Sequence, residues 1–431
     1  MKTHLHLVFI LLANALLAQT TCPVHVENVL RVYPLDGCTQ VYLDSTEALT
    51  FEELRQGSFQ EKFQALNDSV TSEQTKGAYW LQTQFIASDS LTDWNLLIKN
   101  PAYKEQVHRS IYTAGHCFVD GYFVLANGEM LHQRDGLFLP KSERKNYQHP
   151  LINALPFSMG KGDTATVFIR IFNPDHDRSM FSLELRPQAL GIPLEKTDMS
   201  ILMGISMGVT GILALLCIFF FFVDKDPANL FFSLLCICLM LHYALLHPEL
   251  LFVTWFTPEK PWLVDYAWIL LTNGGLVAFV LFGRYFVNLR EHSILLDRVM
   301  LGLAGALGLL LIFLLLNQAF SWKINTFFLS VGLIIGVIII AIRIGFLKSH
   351  LAKIFAFGAI WLLFFNILGL VYNAGYFDLF LPWPVGQMGL MVIYTYGLAY
   401  KLQLNERAKS EAQRVLELDA VKSRFFCQYL P

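Results

Sequence analysis

MSILMGISMGVTGILALLCIFFFFV, from Met199 to Val223, runs 25 residues without Asp, Glu, Lys or Arg. A helix rises about 1.5 Å per residue, so such a run crosses the roughly 30 Å hydrocarbon core of a bilayer with its backbone hydrogen bonds satisfied internally. Six further uncharged runs of at least 18 residues follow it. The predicted spans are 199–223, 227–248, 263–286, 297–321, 324–345, 352–375 and 381–400, a seven-helix α-helical transmembrane domain over residues 199–400. Composition agrees: the chain is 55% hydrophobic and 15% charged, against roughly 45–50% and about 25% in soluble domains. A net charge of −2 supplies no basic field for nucleic acid. A purely soluble enzyme, a disordered chain and a DNA-binding protein are excluded.

Upstream, residues 1–18 read as a signal peptide: Lys2, an apolar run from Leu7 to Leu17, and Ala18 as the small residue before the cut. The alternative is an uncleaved anchor. Residues 19–198 then form an extracytoplasmic domain with its core at about 45–190. Period-two alternation recurs at Trp80–Ile86, Trp94–Ile98, Thr166–Phe172 and Met180–Leu185, with turn formers such as Ala126-Asn127-Gly128 and Gly160-Lys161-Gly162-Asp163 between. Short strands broken by turn chemistry predict an all-β, jelly-roll-like sandwich. Thr46–Leu54 suits a short helix or an irregular lead-in. Of Cys22, Cys38 and Cys117, the preferred disulfide is Cys22–Cys38. Histidines are scattered and no CxxC or HxxxH occurs in this domain, so no metal site and no cofactor are expected.

Flanking charges orient the spans. Lys225, Arg284, Arg290, Arg298, Arg343, Lys348 and Lys353 fall on one side, Lys260 and Lys323 on the other. The positive-inside rule puts the first set in the cytoplasm. Trp255, Trp262, Trp268, Trp322 and Trp383 fall near the outer boundary. No span carries a midplane carboxylate or lysine, which speaks against a transporter. His242 is expected neutral and bonded to a neighbouring helix. Asn273-Gly274-Gly275, Asn366 and Asn373 read as helix–helix glue, and Gly302, Gly305 and Gly308 as a packing face.

Tyr79-Trp80-Leu81, Leu96-Leu97-Ile98-Lys99-Asn100-Pro101 and Phe138-Leu139-Pro140 with Arg144 and His149-Pro150 resemble the type 2 extracellular domain of the bacterial 7TM receptors with diverse intracellular signalling modules. The motifs that enter and leave the spans, Met203-Gly204-Ile205-Ser206-Met207-Gly208 and Gly397-Leu398-Ala399-Tyr400-Lys401-Leu402, are similar to that family as well. The likeness covers roughly residues 45–426. It implies a jelly-roll-like ectodomain for carbohydrate or other small ligands, and seven helices that pass occupancy to a cytoplasmic output module in the bacterial inner (cytoplasmic) membrane.

Residues 401–431 form the predicted cytoplasmic signalling helix. Leu404, Ala408, Val415, Leu418 and Phe425 make a heptad seam, interrupted by Glu411 and Lys422, suited to a homodimeric coiled coil. An ordinary amphipathic helix is the alternative. Glu417–Phe426 resembles the approach to the phosphoacceptor helix of sensor histidine kinases, where Ala-Asn-Ile-Ser-His-Glu typically follows. Here Cys427-Gln428-Tyr429-Leu430-Pro431 stands instead. One inserted base converts suitable codons of the former into the latter plus a stop, so a kinase truncated by frameshift is the expectation. With neither acceptor motif nor Gly-rich nucleotide loop, no catalytic residue is assigned and the chain as written is not an enzyme.

Lys141, Arg144 and Tyr147 are the ligand-binding candidates, in a polar loop able to bond sugar hydroxyls or an anion. Trp80, Trp94, Tyr103 and Tyr112 could stack on sugars, though aromatics in alternating strands more often fill cores. The leading reading is a sensory receptor. Against it stand a membrane transporter, or another polytopic protein with an accessory β-domain, and an adaptor that forms mixed dimers with intact partners.

Overall fold

The computed structural model describes residues 23–56, 59–66, 77–99, 116–144, 153–173, 181–191, 198–246, 257–320, 322, 324–373 and 382–429. The chain divides into two units, Met1–Lys196 with Leu245–Val264, and Thr197–Ala244 with Asp265–Pro431.

The first unit is a two-sheet sandwich. Its strands are β1 (Val24–Val26), β2 (Tyr33–Pro34), β3 (Gln40–Asp44), β4 (Gln64–Ala65), β5 (Ala78–Ala87), β6 (Leu91–Lys99), β7 (Phe118–Leu125), β8 (Met130–Asp135), β9 (Asn153–Met159), β10 (Thr164–Phe172) and β11 (Ser182–Pro187). One sheet runs β4-β3-β5-β10-β7-β8 with β1 pairing in parallel to β5; the other runs β2-β11-β6-β9. Strands β1–β3 precede residue 45, and Val26 of β1, Leu35 just after β2 and Val41 of β3 join the core, so that core begins earlier than alternation alone indicated. Odd-numbered residues of the larger sheet (Leu81, Phe85, Phe123, Val167, Ile169) meet Trp94, Leu96, Leu155, Phe157 and Leu183 of the smaller one. Gly121 faces this core because a Cβ there would sit 2.3 Å from Leu155 Cδ1.

The even-numbered face of the larger sheet is covered too. Phe51 and Leu54 of α1 (Phe51–Arg55), with Phe63, pack on Trp80 and Phe168. A reciprocal cap starts that helix: Thr50 Oγ1 accepts from the Glu53 amide, and Glu53 Oε2 accepts from the Thr50 amide at 2.9 Å. Asp44 ties down the lead-in. Burial alone would raise its carboxyl, but the Thr46 hydroxyl and amide and the Leu49 amide, helped by Arg170, hold it below the usual carboxylate range. Cys38 is disulfide-bonded, and Cys117 is a buried thiol outside any disulfide; Cys22 lies outside the described residues, as do residues 1–18, Tyr103, Tyr112, Tyr147 and Trp255.

The second unit is helical: α2 (Asp198–Asp224), α3 (Pro227–Leu246), α4 (Leu263–Phe286), α5 (Leu289–His292), α6 (Ile294–Ala319), α7 (Phe327–Gly345), α8 (His350–Asn373) and α9 (Pro382–Tyr429), the second and third of them reaching into the 245–264 segment. Six helices, α2, α3, α4, α6, α7 and α8, are long and apolar enough to cross a membrane among the described residues. The seventh expected span, 381–400, is the first part of α9, where Pro384, Gln387, Tyr394, Tyr396 and Tyr400 dilute the apolar run. The chain is a multi-pass membrane protein. Helix α9 continues unbroken for 48 residues, about 72 Å at 1.5 Å per residue.

Large rings fill glycine sockets where α8 meets α9. A Cβ on Gly358, Gly386 or Gly389 would come 2.5 Å from Tyr394, Phe365 or Trp361 respectively. Close approach of this kind substitutes for a hydrophobic driving force that lipid does not supply. The Gly302-Gly305-Gly308 stripe differs from expectation: among the described residues nothing lies within 4 Å of a Cβ built on any of the three, so no described helix of this chain packs on it. Asn273 and Asn366 also differ, because each side-chain amide donates to its own helix, at Ile269 O and Leu362 O. Gly275 does face a neighbouring helix, with a built Cβ 3.4 Å from Cys238 Cβ. The side chain of Asn373 lies outside the described residues.

Candidate functional site

The predicted ligand loop separates into residues with different jobs. Arg144 is not available to a ligand: its side chain is 1% exposed and its Nε donates to Asp135 Oδ1 at 2.5 Å, with Asp135 2% exposed. The Asp135 carboxylate also accepts from the amides of Gly136 and Ala154. Three donors on one buried carboxylate make it an internal clip between β8 and β9. Trp80 and Trp94 are likewise wholly buried, which removes them as stacking platforms. Lys141 opens a short 3-10 turn, Lys141–Glu143, whose backbone engages the segment ahead of α4.

That engagement belongs to the sheet unit, which includes Leu245–Val264. The Lys141 amide donates to Pro258 O at 2.9 Å, and the Ser142 hydroxyl donates to Glu259 Oε2 at 2.7 Å. The Ser142 amide adds a contact to the same oxygen at 3.3 Å. From there the chain turns directly into α4, since Leu263 N donates to Lys260 O and Val264 N to Pro261 O. The turn is therefore a clasp on the connection between α3 and α4.

A polar patch on β7 and β8 leads to the clasp. Arg134 pairs with Asp120 and with Glu143 of the turn, each at 3.1 Å. His132 reaches Asp120 at 3.3 Å and stacks on Tyr122 at 4.4 Å between ring centroids. Tyr122 in turn stacks on Phe51 at 4.3 Å. Aromatic surface beside a carboxylate, an imidazole and a guanidinium can hold a hydroxylated ligand by stacking and hydrogen bonds. The sequence marked the turn but not Asp120, His132 or Arg134. Their signal was there, as polar residues at alternate positions of two adjacent strands.

In the helical unit, α9 is held at three depths. Gln387 accepts from the Ser206 hydroxyl at 3.3 Å and donates to the Thr210 hydroxyl at 2.8 Å, which joins it to α2. Tyr394 donates to Phe355 O on α8. Lys401, 4% exposed, pairs with Asp226 at 2.8 Å and donates to Tyr285 O at 2.7 Å. Gly397 lets α9 close on α4, because a Cβ there would meet Phe286 at 2.4 Å. The entry and exit motifs of the membrane domain thus converge on α9, through Ser206 at one level and Gly397 and Lys401 at another. Beyond Lys401, Leu404, Ala408, Val415 and Leu418 are exposed on a lone helix; the side chain of Phe425 lies outside the described residues.

Two family models match this chain. One, described as 7TM diverse intracellular signalling, matches residues 199–401. The other, described as 7TMR-DISM extracellular 2, matches residues 37–185. No curated protein matches it. The first match ends on the clamp residue Lys401, and the second runs from the turn before β3 into β11.

Proposed function

Since the chain belongs to the 7TM receptors with diverse intracellular signalling modules and is a transmembrane sensory receptor, we propose that it senses a small hydroxylated ligand, a carbohydrate by preference, outside the cytoplasmic membrane of a bacterium. The β7–β8 patch of Asp120, His132 and Arg134 receives the ligand, beside the exposed Lys141 and in place of the buried Arg144 side chain. A ligand that competes for Arg134 releases Glu143 and loosens the Lys141–Glu143 clasp on Pro258 and Glu259. Tension on that connection is felt at the start of α4, and α9 carries the change through a seventh crossing to a cytoplasmic homodimeric helix. The output is a two-component kinase module, so the chain's own task is reception rather than catalysis.

The clasp is the observation that carries this reading, because it joins the sheet domain to a connection between two membrane helices. Coupling of this kind is established by perturbing one end and reading the other. In a Cys427→Ser background, cysteines placed at Leu404, Ala408, Val415 and Leu418 should cross-link between copies, with Arg407→Cys and Arg414→Cys much weaker. Glu259→Ala should then change the cross-linking rate of Leu418→Cys at least twofold. A flat profile along the tail counts against the dimer, and an unchanged rate counts against transmission through the clasp. A transporter reading gains nothing from the half-open apolar pocket framed by α3, α4, α7, α8 and α9, whose lining carries no Asp, Glu, Lys or Arg.

A further inference from the structure

Only Lys225 and Asp226 separate α2 from α3, and both helices are long and apolar enough to span a membrane. Their turn therefore lies at a membrane boundary. Beside it, between α2 and α9, opens a recess of about 150 Å³. Its lining changes character along α2: Leu213, Leu216 and Phe220 are apolar, and Asp224 closes the helix. From Leu213 to Asp224 the axis rises about 16 Å at 1.5 Å per residue. A wall graded in this way fits an amphiphile that lies along the helix, its chain in the hydrocarbon and its head at the turn.

Asp224 decides the chemistry of the head. It stands at the C-terminus of α2, where the helix dipole and the carbonyls left without intrahelical donors attract a cation and disfavour an anion. The cations around it are engaged elsewhere. Lys401 pairs with Asp226 and donates to Tyr285 O, Lys225 lies over the Phe222 ring, and Lys409 pairs with Glu406 and feels Asp224 only at longer range. Among the described residues no Lys or Arg comes within ion-pair distance of the Asp224 carboxylate. The recess thus joins an apolar floor to an unmatched negative charge.

We infer that this recess holds one phospholipid with a primary-amine head, a phosphatidylethanolamine, whose ammonium donates to the Asp224 carboxylate. An ammonium carries three donors, enough for that carboxylate and for carbonyls at the end of α2. A choline head brings the same charge without a donor. A glycerol head leaves the lipid anionic, and Asp224 repels it. The exposed Lys225, next in the chain, suits the phosphate. Leu398 and Leu402 of α9 form the facing wall, and the clamp residue Lys401 borders it too, so the lipid lies between α2 and α9. This site draws nothing from the β7–β8 patch, and neither stands or falls with the other.

The test uses the full chain in nanodiscs made from equal parts of dioleoyl phosphatidylethanolamine, phosphatidylcholine and phosphatidylglycerol. After transfer to mild detergent, mass spectrometry counts the lipids that stay on the protein. Expected is one phosphatidylethanolamine per chain, in excess over the other two lipids. Asp224→Asn keeps the size and removes the charge; it should lower that retention about 10-fold, the equivalent of one charge-assisted hydrogen bond. Ala399→Phe fills the recess from an exposed position of α9 and should abolish the excess, which keeps the test decisive if the Asp224 variant does not fold. Equal retention of the three lipids, or a preference for phosphatidylcholine or phosphatidylglycerol, overturns the inference. An excess undiminished in either folded variant overturns it as well, because the lipid then binds elsewhere.

Discussion

In the sheet unit Trp80, Trp94, Phe85 and Leu96 are sealed from solvent, and the charged groups mostly lie outside. In the helical unit the order is reversed. Phe328 is 82% exposed and Leu309 71%, while Ser206, Gln387 and Lys401 are buried. Water drives the first arrangement, because apolar area removed from it stabilises by about 25 cal/mol per Å². Lipid offers no such gain between helices, so small-against-large packing and interior hydrogen bonds must hold the second together. The comparison teaches that a polar residue means different things on the two sides: a buried charge is an exception to be matched in the sandwich, and an organising contact in the bundle.

The largest expected effect breaks the sandwich at its matched charge. Arg144→Met leaves Asp135 buried without its cation and should lower the stability of the sheet unit by about 3–5 kcal/mol, read as a fall in the loss-of-sheet transition on thermal unfolding. An equally stable variant would mean that the pair is ornamental. Next comes an acid dependence confined to the same unit. Burial pushes the His116 imidazole down to about 4 from its ordinary 6.5. The unfolded chain takes up a proton near pH 6.5 that the folded chain refuses, so stability is full above that pH. It declines as pH falls from about 6.5 toward 4, by on the order of 3 kcal/mol. Denaturant melts at pH 7 and pH 4.5 measure this, and His116→Gln should flatten the difference. A smaller effect sharpens the other side of the comparison. Gly389→Ala pushes a methyl toward Trp361 and should cost the helical unit about 1–3 kcal/mol, seen as a lower inactivation temperature in detergent with the sheet transition unmoved.

Much of this architecture was legible in the chain. The expected 263–286 span coincides with α4, and Trp80–Ile86 and Thr166–Phe172 fall inside β5 and β10, because length and period are properties of a segment by itself. Partnership is not. Tyr79, Trp80 and Leu81 are all buried, since α1 covers a face that alternation assigns to water. Lys141 and Arg144 look alike in a polar loop, yet one opens a turn at the surface and the other is the buried partner of Asp135, nine residues earlier. Gly302, Gly305 and Gly308 repeat as regularly as any packing face but meet no described side chain, whereas Gly386 and Gly389, a single pair at the same spacing, receive a phenylalanine and a tryptophan ring. Periodicity reports which side of a helix is small; only the fold says what lies there.

Whether α9 crosses the membrane decides the account, since an odd number of crossings is what separates sensor from output. Asn127→Cys, in the exposed turn after β7, and Ser410→Cys, on the exposed part of α9, can each be introduced in a Cys427→Ser background and treated with a membrane-impermeant maleimide. Labelling of the Asn127 variant in intact spheroplasts, with the Ser410 variant labelled only after permeabilisation, is the predicted result. Labelling of both in intact spheroplasts would put the tail beside the sheet domain, leave six crossings, and contradict a receptor that signals across the bilayer through α9.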